Sequence, residues 1–165
     1  VAGGVLREPM LYPSLFFKAH RPEYYRLLDE VRQSGDWERW LAFFAEAVER
    51  SAAQAVRVAQ ELIALVQADR SRISALGRAA PSALAVHEAL QRTPISTAGA
   101  LTRSTGLTPA TANKALAHLV DAEIVSELTA RQRGRVFAYT AYVECIDAEL
   151  DEPARAPKAR RRARQ

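Results

Sequence analysis

The fold is decided by residues 105–121, whose sequence is TGLTPATANKALAHLVD. Thr105-Gly106-Leu107 predicts a tight turn, because glycine readily adopts the positive φ that such turns often need. Thr108 followed by Pro109 predicts the start of a helix, with a threonine N-cap and a proline in the first turn. This helix runs to about residue 121, and its inward face is formed by Ala112, Leu116 and Leu119, with Ala115 beside them.

Further elements are predicted on both sides of this helix. A first helix is expected to start with Ser82 as its N-cap and to end at Thr93-Pro94, because proline cannot continue a helix. A short second helix is capped by Ser96 or Thr97 and runs to about residue 104. Residues 124–128 and 135–139 predict two strands joined by a turn. Three helices followed by a β-hairpin predict a winged helix-turn-helix, a module that usually places one helix in a DNA groove.

The outward face of the third helix carries small and short polar side chains, which permit close approach to base edges. Asn113 could pair with adenine, and Lys114 could reach a guanine or a phosphate. Arginines in the predicted wing could contact the backbone of a duplex. The candidate DNA-contacting residues are Thr108, Ala110, Thr111, Asn113, Lys114, His118, Arg131, Arg133 and Arg135. The alternative for this helix is a core helix whose outer face is simply solvated. The alternative for each wing arginine is a charge that only makes the protein surface more soluble.

The composition limits the classes of function. The chain has 165 residues, of which 48% are hydrophobic, and it has no apolar run long enough to span a bilayer and no secretory signal. Its single cysteine, Cys145, excludes an internal disulfide framework and suits a reducing cytoplasm, where we expect the protein to reside. The three histidines lack the spacing of metal ligands, so we expect no metal site and no cofactor in this chain.

The net charge of +4 is distributed unevenly. Residues 80–143 carry 6 basic and 4 acidic side chains, whereas residues 153–165 carry 6 basic side chains and no acidic one. Because DNA affinity depends largely on phosphate neutralisation, a module with a balance of +2 predicts modest affinity for one copy. A second copy, or the tail at 151–165, could add to it. This tail is rich in proline, alanine and arginine and predicts a disordered basic segment.

Residues 1–79 predict a helical region. Ser14 is expected to cap a short helix, and Arg21-Pro22-Glu23 opens another that ends at Ser34-Gly35. Asp36 then caps a helix that could reach roughly 60 Å, since no glycine or proline interrupts residues 36–76. A helix of this length predicts a homodimer with the long helices side by side. Aromatic residues at helical spacing predict a hydrophobic core in this region, and a ligand pocket is the alternative. These residues are Tyr24, Tyr25, Trp37, Trp40, Phe43 and Phe44.

The predicted organisation therefore has three parts. Residues 1–79 form the helical, dimerising region, residues 80–150 the winged helix-turn-helix, and residues 151–165 the basic tail. Residues 77–81 are the expected linker between the first two parts. The predicted fold class is mainly α.

Five segments carry a resemblance to a known family. Residues 6–14 (LREPMLYPS), Tyr24-Tyr25 and residues 35–44 (GDWERWLAFF) resemble the end of the catalytic domain of bacterial Fic proteins, in the Fido superfamily. Residues 111–116 and 135–139 are similar to the winged-helix domain that many of these proteins carry after the catalytic core. Fic enzymes typically transfer AMP from ATP to a hydroxyl group of a protein substrate. The resemblance covers nearly the whole chain apart from the tail.

The defining Fic motif, His-Pro-Phe-x-Asp/Glu-Gly-Asn-Gly-Arg, is absent from this chain. His20 is followed by Arg21-Pro22, so it does not correspond to the catalytic histidine of the motif. The resemblance implies a fragment that starts just downstream of the active site, without catalytic residues of its own. ATP and a protein substrate would belong to the parent enzyme.

Two functions of different classes follow as hypotheses. The first is a DNA-binding, self-associating region of a Fic-like protein that regulates transcription, including that of its own operon. The second is a protein-interaction or dimerisation module that serves an upstream AMP-transferring catalytic domain. A ligand-responsive repressor of the MarR-like type is a variant of the first.

Overall fold

The computed structural model describes residues 12–129, 131 and 134–151, with side chains to residue 147. Within these residues the chain is mainly α-helical, as the sequence predicted, and carries one small antiparallel sheet. The helices are α1 (Pro13–Ala19), α2 (Arg21–Ser34), α3 (Trp37–Ser74), α4 (Ala80–Arg92), α5 (Ala98–Thr105), α6 (Pro109–Asp121) and α7 (Thr140–Asp151). The strands are β1 (Ile95–Thr97), β2 (Ser126–Glu127) and β3 (Val136–Ala138).

The chain divides into two compact units, and the divisions fall inside α3 and near the end of α7. The C-terminal unit comprises Val58–Asp147, and the described part of the N-terminal unit comprises residues 12–57 and 148–151. The sequence predicted a linker at residues 77–81 and a domain boundary between residues 79 and 80. Gly77–Ala79 form one turn of 3-10 helix, directly before α4.

The N-terminal unit is built on aromatic packing between α1, α2 and the first half of α3. Its buried core consists of Phe16, Leu27, Phe43 and Ala47, with Phe17, Tyr24 and Trp40 packed against it. Gly35 ends α2 in the left-handed conformation at φ 73°, as the sequence predicted. The aromatic cluster was predicted as core, but Tyr25, Trp37 and Phe44 are exposed within this unit.

The core of the C-terminal unit lies between α4, α5, α6 and the sheet. Its largest fully buried side chains include Tyr139, Phe137, Ile73, Leu90, Leu101, Leu116 and Leu119. The order of strands in the sheet is β1-β3-β2, and both pairs are antiparallel. In this register Phe137 lies opposite Ser96 on one side and Glu127 on the other. The hairpin of β2 and β3 follows the prediction, whereas β1 was not predicted.

Two predicted helix caps were wrong. α1 begins at Pro13 rather than after Ser14, and α4 begins at Ala80 rather than after Ser82. In both helices a proline occupies the first turn, where its missing N–H costs nothing, so the helix starts earlier than the serine. The hydroxyl of Ser82 instead donates a hydrogen bond to the carbonyl oxygen of Ala79 at 3.0 Å.

Candidate nucleic-acid interface

α5 and α6 are held at their N-termini by threonine caps. The Thr97 hydroxyl accepts a hydrogen bond from the Ala100 N–H at 3.2 Å, and the Thr108 hydroxyl accepts one from the Thr111 N–H at 3.2 Å. Between the two helices, Gly106 has a φ of 69°, a conformation that is unfavourable for residues with a Cβ. The predicted start of α6 and the predicted glycine turn before it are therefore confirmed.

The inward face of α6 is completely buried. Ala112, Ala115, Leu116 and Leu119 have no solvent-accessible surface and pack in the core of the C-terminal unit. The predicted periodicity of this helix is therefore confirmed. Because the inner face is fixed in this way, the rotation of α6 about its axis is also fixed, and its other side must face outward.

The outward face of α6 is exposed within the C-terminal unit. Among the sequence-predicted site residues, the structure exposes Thr108, Ala110, Asn113, Lys114 and His118, and it also exposes Ala117. Thr111 is half-buried, and its hydroxyl is hydrogen-bonded to that of Thr108 at 2.8 Å. The Thr111 hydroxyl therefore takes part in the N-cap of α6 and is less available to an external partner.

Asn113 is partly engaged by its own helix. Its Nδ2 donates a hydrogen bond to the Pro109 carbonyl oxygen at 2.8 Å. A carboxamide has a second N–H donor and an acceptor oxygen, so this contact uses only one of its groups. It also holds the side chain along the first turn of α6.

The hairpin between β2 and β3 presents its arginines unequally. Arg131 is exposed, and Arg133 lies outside the described residues. The hairpin is closed by two hydrogen bonds at 2.9 Å: the Leu128 N–H donates to the Val136 carbonyl, and the Val136 N–H donates to the Thr129 hydroxyl. The cation at the described part of the hairpin tip is therefore Arg131.

Arg135 was predicted as a third outward arginine, but its guanidinium is bound within the hairpin. Its Nε and Nη2 donate hydrogen bonds to the two carboxylate oxygens of Glu127 at 2.9 and 2.6 Å. The guanidinium carbon lies 4.9 Å from the centre of the Phe137 ring. Hydrogen bonding to Arg135 lowers the pKa of Glu127, and the same contact raises the pKa of Arg135. Glu127 was not among the predicted site residues, although it lies in β2, which pairs with the strand that directly follows Arg135.

A buried polar network in the C-terminal unit was also missed. Asp69, near the end of α3, is only 4% exposed, and it accepts a hydrogen bond from the Tyr139 hydroxyl at 2.6 Å. Arg72 donates a hydrogen bond to Asp69 at 3.1 Å and another to the carbonyl oxygen of Ala122, just after α6. Burial and the bond to Asp69 raise the pKa of Tyr139, so its hydroxyl keeps its proton. The network ties the end of α3 to β3 and to the end of α6.

His87 on α4 lies beside this network. Its ring centre is 5.1 Å from that of Tyr139, and its Nδ1 is 3.3 Å from the Gln91 amide nitrogen. Its Nε2 is buried and, among the described residues, has no hydrogen-bond partner. Burial is the main cause of the lowered pKa of His87, so the neutral imidazole is favoured.

Two further features concern metal ligands and membrane-spanning helices. No group of three or more His, Cys, Asp and Glu side chains in the described part of the chain is arranged to hold a metal ion. None of the helices in residues 12–129 and 134–151 combines the length and apolar character that crossing a bilayer requires. A comparison with models of known protein families finds no match to this chain.

Proposed function

We propose that the protein binds double-stranded DNA, with α6 in the major groove and the β2–β3 hairpin against the adjacent backbone. The order of elements supports this proposal, because α4, α5 and α6 are followed by the hairpin, as in a winged helix-turn-helix. The observation that carries it is the exposed face of α6, opposite a face that is completely buried. Such binding suits a protein that regulates transcription, including the transcription of its own operon.

The side chains on the outward face of α6 suit contacts with a groove. Ala110 and Ala117 are small enough to let the helix approach base edges and to contact a thymine methyl group. Asn113 can use its free amide groups for adenine, and Lys114 can reach a guanine or a phosphate. Arg131 at the hairpin can contact a backbone phosphate.

A test of this proposal is binding of a fluorescein-labelled duplex of mixed sequence, followed by fluorescence anisotropy at several salt concentrations. Each phosphate contact contributes about 0.9 to the slope of log K against log salt concentration. Lys114→Ala and Arg131→Ala should each reduce the slope by about this amount and weaken binding roughly fivefold to tenfold near 0.1 M salt. Arg32→Ala, on the exposed surface of α2, removes the same charge and should have little effect.

The basic tail requires its own control, because residues 153–165 carry 6 basic side chains. A variant that ends at residue 152 should bind more weakly but keep the effects of Lys114→Ala and Arg131→Ala. Loss of all binding in the shortened variant, with no effect of these two substitutions in the full chain, would assign DNA binding to the tail. The role proposed for α6 would then be wrong.

We further propose that two copies of the chain associate through α3. The positions Trp37, Leu41, Phe44 and Val48 alternate in steps of four and three, which is the spacing of a coiled-coil seam. Trp37 and Leu41 are more than half exposed within the N-terminal unit, and Phe44 is 43% exposed. A two-fold related copy presents the same stripe, so the two stripes can cover each other.

The association is tested by analytical ultracentrifugation over a range of protein concentrations. Wild type should sediment as a dimer, and Leu41→Glu should shift it to a monomer because a charge in the seam would have to be buried. A wild-type protein that stays monomeric throughout would contradict the dimer. The alternative function, an interaction or dimerisation module for an AMP-transferring Fic catalytic domain, would be favoured by a pulldown that needs residues 108–121 together with no measurable duplex affinity.

A further inference from the structure

The contact between Arg135 and Glu127 has a consequence for the proposed interface. The carboxylate of Glu127 binds two nitrogens of the guanidinium in parallel, at 2.9 and 2.6 Å. A phosphate group offers the same pair of oxygens and is bound by arginine in the same way. Glu127 therefore occupies the groups of Arg135 that a DNA backbone would use.

We propose that Glu127 is an internal competitor of the DNA backbone, which holds Arg135 and thereby limits the affinity of the hairpin for a duplex. This inference rests on the proposed function. Glu127 is then a residue that sets affinity without itself contacting DNA. Its removal should tighten binding, in contrast to the loss that follows removal of a phosphate ligand.

The geometry allows the two oxyanions to exchange without refolding of the hairpin. The Arg135 and Glu127 side chains are 37% and 25% exposed, so an approaching phosphate can reach the pair from solvent. The guanidinium lies over the Phe137 ring, and the Arg135 carbonyl accepts a hydrogen bond from the Ala98 N–H at 3.2 Å. Both contacts can persist while the carboxylate is replaced, because neither uses the nitrogens bound to Glu127.

The charge balance favours the same conclusion. With Glu127 in place, the pair is close to neutral, and a phosphate must displace a carboxylate of the same sign. Without the carboxylate, Arg135 is a free cation on a hairpin that also carries Arg131. One additional phosphate contact should increase the salt slope by about 0.9, which corresponds to roughly tenfold tighter binding near 0.1 M salt.

The experiment measures binding of the labelled mixed-sequence duplex by the full chain carrying Glu127→Gln. Glu123→Gln is the matched control, because Glu123 is an exposed carboxylate between α6 and β2 and its loss changes the net charge equally. For Glu127→Gln we expect about tenfold tighter binding and a steeper salt slope. For the control we expect the affinity to change by less than about twofold. The gain should vanish in the double variant Glu127→Gln/Arg135→Ala.

Circular dichroism and thermal melting verify that each variant folds, and Glu127→Ala provides a second test if glutamine disturbs the hairpin. Equal gains for Glu127→Gln and Glu123→Gln would overturn the inference, because the effect would be one of net charge alone. Weaker binding by folded Glu127→Gln would also overturn it, since the pair would then be needed to shape the hairpin. If wild type and all variants fail to bind the duplex, the proposed function itself fails.

Discussion

Tyr139→Phe removes one hydroxyl from the buried network of the C-terminal unit and leaves the aromatic ring in place. The ring is completely buried, with its centre 5.1 Å from that of His87 and 5.3 Å from that of Tyr142. These packing contacts should survive the substitution. The lost contact is the 2.6 Å hydrogen bond to Asp69, whose carboxylate would keep the hydrogen bond from Arg72.

The size of the effect follows from the charge and burial of the acceptor. Hydrogen bonds to charged groups contribute about 1.5–3 kcal/mol, and a buried acceptor that loses one partner is left partly desolvated. We therefore expect the free energy of unfolding to fall by about 2 kcal/mol. Equilibrium unfolding in urea, followed by far-ultraviolet circular dichroism, measures this difference as a shift of the midpoint at unchanged slope.

Tyr142→Phe is the matched control, because Tyr142 stacks on Tyr139 and is only partly buried. It should change the free energy of unfolding by less than about 0.5 kcal/mol. In a double-mutant cycle with Asp69→Asn, the effect of Tyr139→Phe should shrink. Equal stability of the Tyr139→Phe and Tyr142→Phe variants would refute the stabilising role assigned to this hydrogen bond.

Three other predictions concern the cap of α6, the buried histidine and catalysis. Thr108→Ala should lower the free energy of unfolding by about 1 kcal/mol, measured in urea, because the Thr111 N–H loses its side-chain acceptor. Stability should fall as the pH drops below about 6.5, because the folded-state pKa of His87 is lowered and the unfolded chain binds the proton more readily. The charge of Asp69 opposes this lowering of the His87 pKa, and the charge of Arg70 adds to it. Because His87→Gln removes the titrating imidazole, it should flatten the acid limb of the stability profile measured by thermal melting. Incubation with labelled ATP and candidate proteins should transfer no AMP, because the chain lacks the Fic motif; labelled product would contradict this.

Local signals in the sequence predicted much of the C-terminal unit. Thr97, Gly106 and Thr108-Pro109 act within a few residues of their own positions, so the turn and the helix starts could be derived from residue types. The inner face of α6 followed from its 3.6-residue period, because every position of that face is buried. The outer face of α6 could then be predicted as the positions opposite this apolar face.

Contacts between distant residues could not be derived in the same way. Asp69 and Tyr139 are 70 positions apart, and only the folded chain brings them together. β1 has three residues and pairs with a strand some 40 positions later, so no alternating pattern marked it. The pairing of Arg135 with Glu127 depends on the register of two very short strands. A cluster of arginines was visible in the sequence, whereas the carboxylate that holds one of them was not.

We propose that α6 and the β2–β3 hairpin contact a duplex together. Amide chemical-shift changes in isotope-labelled protein, recorded as an unlabelled duplex is added, test this residue by residue. We expect the largest changes on residues 108–118 and 126–138. Changes confined to residues 37–48 or to the basic tail, with α6 unaffected, would contradict it.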